Sequence, residues 1–541
     1  MLDTSGIQDY IFKSNRLQEN IGASEIVYRA TTLWAFDALT KTGFKHNVTV
    51  KGPSWQILDG DVEKDGTALD AEVVYAGGGN TMLIFKSLED AKKFTRQITA
   101  MVLKDAPGLT LVASHLEFDP ESVNLTDART NLLQQLAAQK QARQPSVPVL
   151  GLSVSAVCQS TGLPAVRNDV GKLIITTHNE TREIQLRLKG QEDEPPRLIS
   201  REIAAKLAWR DMAAERLKKD FGDHAFPSDI DNLGRLEGDE SYVAIVHADG
   251  NRMGEHLEQA LQGIGTLEQC KKALRTFSEK VNAAGLSAVR HVVELVAEAV
   301  KDKRIPSTDD YLPIRPLVFG GDDITLLCNG QIGISLAAAY LEAFENAFKQ
   351  APIVKGLEDV HARAGIAIVK MHYPFARAYK LSEDLVYSAK TFIMQENSGD
   401  CSAFDWHYAT GGLSGDLEFI REREYTARNG KPLNLRPLRL DRGDSKQGGR
   451  YWYGGLDEVV LQFKNGSYWS KRKNKVVGLR EPLRKGADSV RIYRTNFELP
   501  LLPALAGVDA RESGWQDDRC VYFDAVELFD QYLPLEKEAR S

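Results

Sequence analysis

The sequence predicts an α+β protein built on two βαββαβ units, with a helical region between them and a mainly helical C-terminal region. Three observations carry this. Residues 73–85, Val-Val-Tyr-Ala-Gly-Gly-Gly-Asn-Thr-Met-Leu-Ile-Phe, and residues 317–328, Leu-Val-Phe-Gly-Gly-Asp-Asp-Ile-Thr-Leu-Leu-Cys, share one pattern. Each is an apolar strand, a Gly-rich turn and a second apolar strand, which is a hairpin signature. An amphipathic helix and a further strand follow each hairpin, at 88–103 and 109–114 in the first copy and at 332–348 and 362–369 in the second. An Asp-containing turn and a long, mostly helical stretch precede each hairpin, and the distance from Asp3 to Gly77 is close to that from Asp249 to Gly320. Self-similarity of this kind marks an internal repeat, and βαββαβ is the ferredoxin-like layout.

The repeat sets the expected boundaries: a first βαββαβ domain over 1–120, a helical middle region over 121–235, a second βαββαβ domain over 236–410 and a separate C-terminal domain over 411–541. Only Met1 and Leu2 precede Asp3, so either the opening strand of the first copy is short or the start codon is misassigned. The acidic run Gln191-Glu192-Asp193-Glu194-Pro195-Pro196 reads as a loop.

Composition narrows the class. A length of 541 residues, 43% hydrophobic and 26% charged, is ordinary for a globular protein of several domains. The sequence contains neither an apolar run long enough to span a bilayer nor a signal peptide, and the five cysteines form no C-x-x-C pair. A reduced, cytoplasmic setting with no membrane contact is expected. The net charge of -7 conceals a polarity: 421–496 holds 19 Lys plus Arg against 8 Asp plus Glu, an excess of 11 that leaves -18 on the remainder. Lys471, Arg472, Lys473, Lys475, Arg480, Arg484 and Lys485, near Tyr468 and Trp469, form either an RNA- or partner-binding face or a solvated charged surface.

Chemistry concentrates on the second hairpin. Gly320 and Gly321 admit a close backbone approach, and Asp322 and Asp323 place two carboxylates on one tight turn. Asp249 ends the apolar strand Val243-Ala244-Ile245-Val246, which such a sheet sets beside the hairpin. Three converging carboxylates suit two Mg²⁺ or Mn²⁺ ions, because both metals favour oxygen ligands. Lys390, late in a predicted helix, is either a helix-end cation or a phosphate contact. In the first copy Gly77-Gly78-Gly79-Asn80 lacks carboxylates; Gly78 and Gly79 form either a plain turn or a nucleotide-admitting one. Gly22-Ala23-Ser24 precedes an apolar segment, with Ser24 as a helix cap or the helix start facing phosphate. The sequence contains no His-Asp dipeptide, phosphate loop or dinucleotide fingerprint.

Taken together, these segments resemble a known family. Ser5-Gly6-Ile7-Gln8-Asp9-Tyr10-Ile11-Phe12 with Gly22-Ala23-Ser24 is similar to the first palm domain of the large polymerase–cyclase subunit of type III CRISPR effector complexes. His247-Ala248-Asp249-Gly250-Asn251-Arg252-Met253-Gly254, the Gly-Gly-Asp-Asp turn, and the stretches from Ala364 to Pro374 and Ser382 to Lys390 resemble its second palm. The resemblance implies that each palm binds one ATP and that the product is a cyclic oligoadenylate or related adenylate messenger. It assigns Asp249, Asp322 and Asp323 as catalytic metal ligands and Lys390 to phosphate, and it places Gly22, Ala23 and Ser24 around the first nucleotide. Guide RNA and target RNA would be met through other subunits. Two departures matter. The family's N-terminal HD nuclease does not precede the first palm here, so DNA cleavage is not expected. Thr161 stands where the family's zinc ribbon has its second cysteine after Cys158, so zinc is not expected. A non-catalytic scaffold and a stand-alone antiviral cyclase are the alternative roles.

Overall fold

In a computed structural model of the chain the repeat becomes two sheets of the same strand order. The structure describes residues 1–52, 54–58, 69–119, 125–142, 155–166, 172–178, 180–186, 195–234, 241–350, 352–395, 400–409, 415–441 and 450–536. The first four residues of the expected 191–196 loop lie outside them.

The first sheet contains Leu2–Ser5, Ala71–Gly77, Asn80–Phe85 and Thr110–Ala113. In space, with strands numbered by their order in the unit, they lie 2-3-1-4. The opening strand is four residues long, yet it pairs on both sides, with Asn80–Phe85 and with Thr110–Ala113. In the second sheet Tyr242–Gly250, Ile314–Val318, Ile324–Asn329 and Ala362–Lys370 repeat that order. Ala403–Ala409 then adds in parallel to Ala362–Lys370, and Leu438–Arg439 closes the edge.

The central strand explains its uninterrupted apolar sequence. Ala244, Val246 and Ala248 face a core built with the helices Leu267–Lys301 and Gly333–Lys349. Val243 and Ile245, of opposite parity, face a second core shared with the helix Leu17–Ala30 of the first palm. Both faces of the sheet are therefore covered, which removes the need for polar alternation. The 35-residue helix Leu267–Lys301 starts at Thr266, whose hydroxyl accepts from the Gln269 N–H at 3.3 Å. Its buried Val289, Val292, Val293 and Val296 recur at helical spacing.

Three expectations need correction. The middle region is not only helical: Lys172–Thr177 and Glu180–Gln185 form an antiparallel hairpin between the helices Leu125–Ala142 and Arg201–Ala208. Its β-branched run Ile174-Ile175-Thr176-Thr177 carried that signal. The C-terminal region, though mainly helical, is not a module apart. Leu438–Arg439 joins the second palm's sheet, and Leu433, Trp452, Val476 and Phe523 continue that palm's core. The third concerns Gly22-Ala23-Ser24, which does not start a helix. The helix runs from Leu17 to Ala30, and all three residues are buried in its interior. A Cβ on Gly22 would stand 1.7 Å from the Lys206 carbonyl oxygen. The glycine therefore lets the helix Arg201–Ala208 lie directly against this one. The Ser24 hydroxyl donates to the Leu317 carbonyl of the second palm, so it ties the two palms together.

Candidate active site at the second palm

Antiparallel pairing sets the geometry. Ile324 is opposite Ala248, so Asp323 on the turn and Asp249 at the strand end stand across from each other. On the other side Arg363 pairs directly with Asp249. Asp322 is also close: a Cβ on Gly250 would be 2.9 Å from the Asp322 Cβ. The three predicted carboxylates are thus brought together at adjoining strand ends.

The turn is held from behind. Gly321 has φ 75°, a left-handed conformation that glycine adopts without strain. Its N–H donates to Asn282 Oδ1 at 3.1 Å, and its carbonyl oxygen would lie 2.2 Å from a Cβ on Gly285. Asn282 and Gly285 both belong to the helix Leu267–Lys301, which therefore fixes the height of the carboxylates by direct contact. Sequence reading did not single out either residue, because a small residue and an amide inside a long helix carry no local mark of such a role.

Two basic side chains also entered the site unannounced. The Arg363 guanidinium donates to Asp249 Oδ2, to the Gly250 carbonyl at 3.2 Å and to Asn251 Oδ1 at 3.0 Å. His247 Nε2 lies 3.3 Å from Asp323 Oδ1, and the His247 ring stacks on Tyr379 with centroids 5.4 Å apart. His247 has the parity of Val243 and Ile245, so this flank faces the first palm. Tyr379 in turn stacks on Phe12 of the first palm at 4.1 Å.

The electrostatics follow from crowding. Burial and the neighbouring Asp249 push the Asp322 carboxyl up to about 7. Asp249 is raised as well, by burial and then by Asp323, against the pull of Arg363 and a smaller one from Lys390. Burial alone would suppress the charge on His247, but the Asp323 carboxylate beside it raises its pKa overall. Lys390 is exposed on the helix Phe375–Gln395, near enough to influence Asp249 yet not bonded to it.

The donor set suits a divalent cation: three hard oxygen donors, one of them short of a compensating positive charge. Its present arrangement does not chelate. Among the described residues no three His, Cys, Asp or Glu side chains are placed to hold a metal ion together. Asp249 is turned to Arg363 and Asp323 to His247.

At the first palm the corresponding positions carry different chemistry. Asp3 pairs with Asn80 as Asp249 stands to Asp323. Gly79 takes the place of Asp322, and its carbonyl accepts from the Thr4 hydroxyl at 2.8 Å. Lys140 forms an ion pair with Asp3 at 2.6 Å. Gly78 and Gly79 have φ 58° and 79°.

The C-terminal basic cluster is partly consumed internally. Arg484 donates to the Glu424 carbonyl at 2.7 Å, Arg480 reaches the Val526 and Glu527 carbonyls, and Lys485 pairs with Glu481 at 3.3 Å. Arg472 and Lys475 lie over the rings of Tyr468 and Phe497. Trp469 is buried, so it offers no stacking surface. In the middle region Cys158 is buried in a small core with Ile184 and Ile199. Thr161 donates to the Ser200 hydroxyl at 3.3 Å.

The fold and the site define a tandem-palm α+β protein with a carboxylate-bearing hairpin on its second palm. Residues 242–397 match the family model for the second palm domain of Cas10/Cmr2. No curated protein matches the sequence. Among solved structures, the fold is similar to that of a Csm1–Csm4 cassette in complex with pppApApA, with TM-score 0.52 and 14% identity over 99% of this chain and 69% of that one. The cassette in complex with one ATP gives TM-score 0.52 and 14% identity over 98% and 69%. The cassette in complex with cA4 gives TM-score 0.51 and 14% identity over 98% and 69%. At this identity the likeness speaks for the fold. No helix among the described residues is long and apolar enough to cross a membrane.

Proposed function

We propose that this chain converts ATP to a cyclic oligoadenylate, or a related adenylate messenger, within an RNA-guided antiviral complex. The observation that carries the reading is the meeting of Asp249, Asp322 and Asp323 at the strand ends of a palm. The similar Csm1–Csm4 structures, which hold ATP and cA4, support the choice of nucleotide. Asp249, Asp322 and Asp323 would hold two Mg²⁺ or Mn²⁺ ions. Such ions, when bound, supply activation of a ribose hydroxyl and stabilisation of the leaving pyrophosphate. The chain's own residues do the positioning. Asn282 and Gly285 hold the turn, His247 steadies Asp323, and Lys390 supplies positive charge for phosphate at the rim. Gly320 and Gly321 leave the turn open to close approach by a nucleotide.

The first palm, with Gly78 and Gly79 in its turn and no carboxylate pair, would bind the second ATP without chemistry. Gly22, Ala23 and Ser24 would act there by setting the junction of the palms, since all three are buried. Guide and target RNA are assigned to the other subunits. The domain divisions at 120 and 235 belong to this reading. So does a cytoplasmic location.

The test is chromatography of labelled ATP products formed by the purified assembly with Mg²⁺ or Mn²⁺ and target RNA. Asp322→Ala with Asp323→Ala should eliminate product while size exclusion shows an unchanged assembly. Wild-type yield from the double variant would remove this site from the chemistry. Product formed by the chain alone, without RNA, would favour the stand-alone cyclase.

A further inference from the structure

We infer that Arg363 is the resident counter-cation of Asp249, and that a divalent ion enters this site by displacing its guanidinium. The inference rests on the two-metal reading of the site. Arg363 is on the strand Ala362–Lys370, directly across from Asp249. Its side chain is 12% exposed, and Asp249 Oδ2 is one end of its ion pair. Two further bonds, to the Gly250 carbonyl and to Asn251 Oδ1, fix the fork in place. The guanidinium is therefore pre-positioned at the carboxylate, with its entropy of ordering already lost, and it is planar and permanently charged.

A carboxylate oxygen that accepts from a guanidinium cannot also serve a divalent ion without bringing two positive charges within a few ångströms. In a partly buried site that repulsion is only partly screened. The arrangement therefore works as an exchange. Without metal, Arg363 offsets part of the repulsion among Asp249, Asp322 and Asp323. With metal, Asp249 turns away and the guanidinium is released at the rim, where an anionic triphosphate can receive it. The same logic operates at the first palm, where Lys140 neutralises Asp3 and the turn offers no carboxylate pair to draw a cation in.

The experiment measures Mn²⁺ affinity by titration of the metal-free protein, read by the loss of the free-ion paramagnetic resonance signal. Arg363→Gln should bind Mn²⁺ about tenfold more tightly than wild type, since a competing cation is gone. Arg363→Lys should stay near wild type. Each variant is also melted with and without Mn²⁺. Arg363→Gln should lower the metal-free melting temperature and show the larger rise on adding Mn²⁺. Equal or weaker Mn²⁺ binding by Arg363→Gln overturns the exchange and makes the arginine an aid to metal binding. Asp322→Ala with Asp323→Ala separates the two claims. If wild-type Mn²⁺ binding survives that substitution, the metal site itself is misplaced. If binding is lost there but is unmoved by Arg363→Gln, only the exchange fails.

Discussion

The two palms share a strand order and a strand-end aspartate, and they differ at the two turn positions that follow the glycines and in the cation set against that aspartate. At the second palm the strand-end Asp249 meets Asp322 and Asp323 on a turn braced by Asn282 and Gly285. At the first, Asp3 meets Gly79 and Asn80, and Lys140 already satisfies the aspartate. One framework thus carries a cluster of negative charge in one copy and a neutralised pair in the other. A repeated fold supplies the placement, and the turn residues supply the chemistry.

The largest test of this contrast is the carboxylate pair. Asp322→Ala with Asp323→Ala should lower product formation by about a thousandfold or more, because bound metal ions supply several kcal/mol and each ~1.4 kcal/mol is a tenfold change. Stability of the metal-free protein should change by no more than about 1–2 kcal/mol, since the substitution removes carboxyls held against burial and one another. A melting curve beside the product assay reads both.

Next comes the brace. Gly285→Ala places a methyl 2.2 Å from the Gly321 carbonyl oxygen. Overpacking of this kind costs about 1–3 kcal/mol, and here the turn is the part that must move. Product yield should fall about tenfold to a hundredfold, in keeping with the sensitivity of catalysis to ~1 Å displacements. Full activity with a displaced melting point would mean that the helix, not the turn, yields.

The reverse experiment rebuilds the carboxylates in the first palm. Gly79→Asp with Asn80→Asp should not create a metal site. Gly79 has φ 79°, and a Cβ there would lie 2.7 Å from Ile7 Cδ1 and 2.8 Å from Thr4 Oγ1. A destabilisation of about 2 kcal/mol in denaturant unfolding is expected. Mn²⁺ binding equal to two full sites would show that the turn residues alone separate the palms.

The smallest effect is a pH slope. The folded protein raises the Asp322 carboxyl to about 7, above its unfolded range near 4. Between those values the native state holds more protons than the unfolded one, so metal-free stability falls as pH rises from about 4 to about 7. With allowance for solvent screening of a half-buried group, the change is about 1–2 kcal/mol. Asp322→Asn should flatten that slope, and added Mg²⁺ should oppose it. Identical pH profiles for the variant and wild type would mean that Asp322 is better solvated than its setting suggests.

The sequence by itself marked the repeat, the two hairpins and three carboxylates that the fold brings together. Each of these is local: a strand pattern, a glycine pair that permits the turn, and acidic residues adjacent to it. Lys390 was legible as a helix cation, but the helix runs on to Gln395, so Lys390 is not in the last turn, and its reach toward Asp249 was not legible. Tertiary structure alone decided the rest. Arg363 is 114 residues from Asp249 in the chain, and Asn282 is 39 from Gly321. No window of sequence contains either pair. Gly22 and Ser24 show the same limit from the other side. Their sequence reads as a helix start, and only the nearness of Lys206 and Leu317 reveals a close helix contact and a tie between palms. Periodicity and turn chemistry act over a few residues, so they write themselves into the sequence. The partners of a buried charge are chosen by how sheets and helices stack, and that choice exists only once the chain has folded.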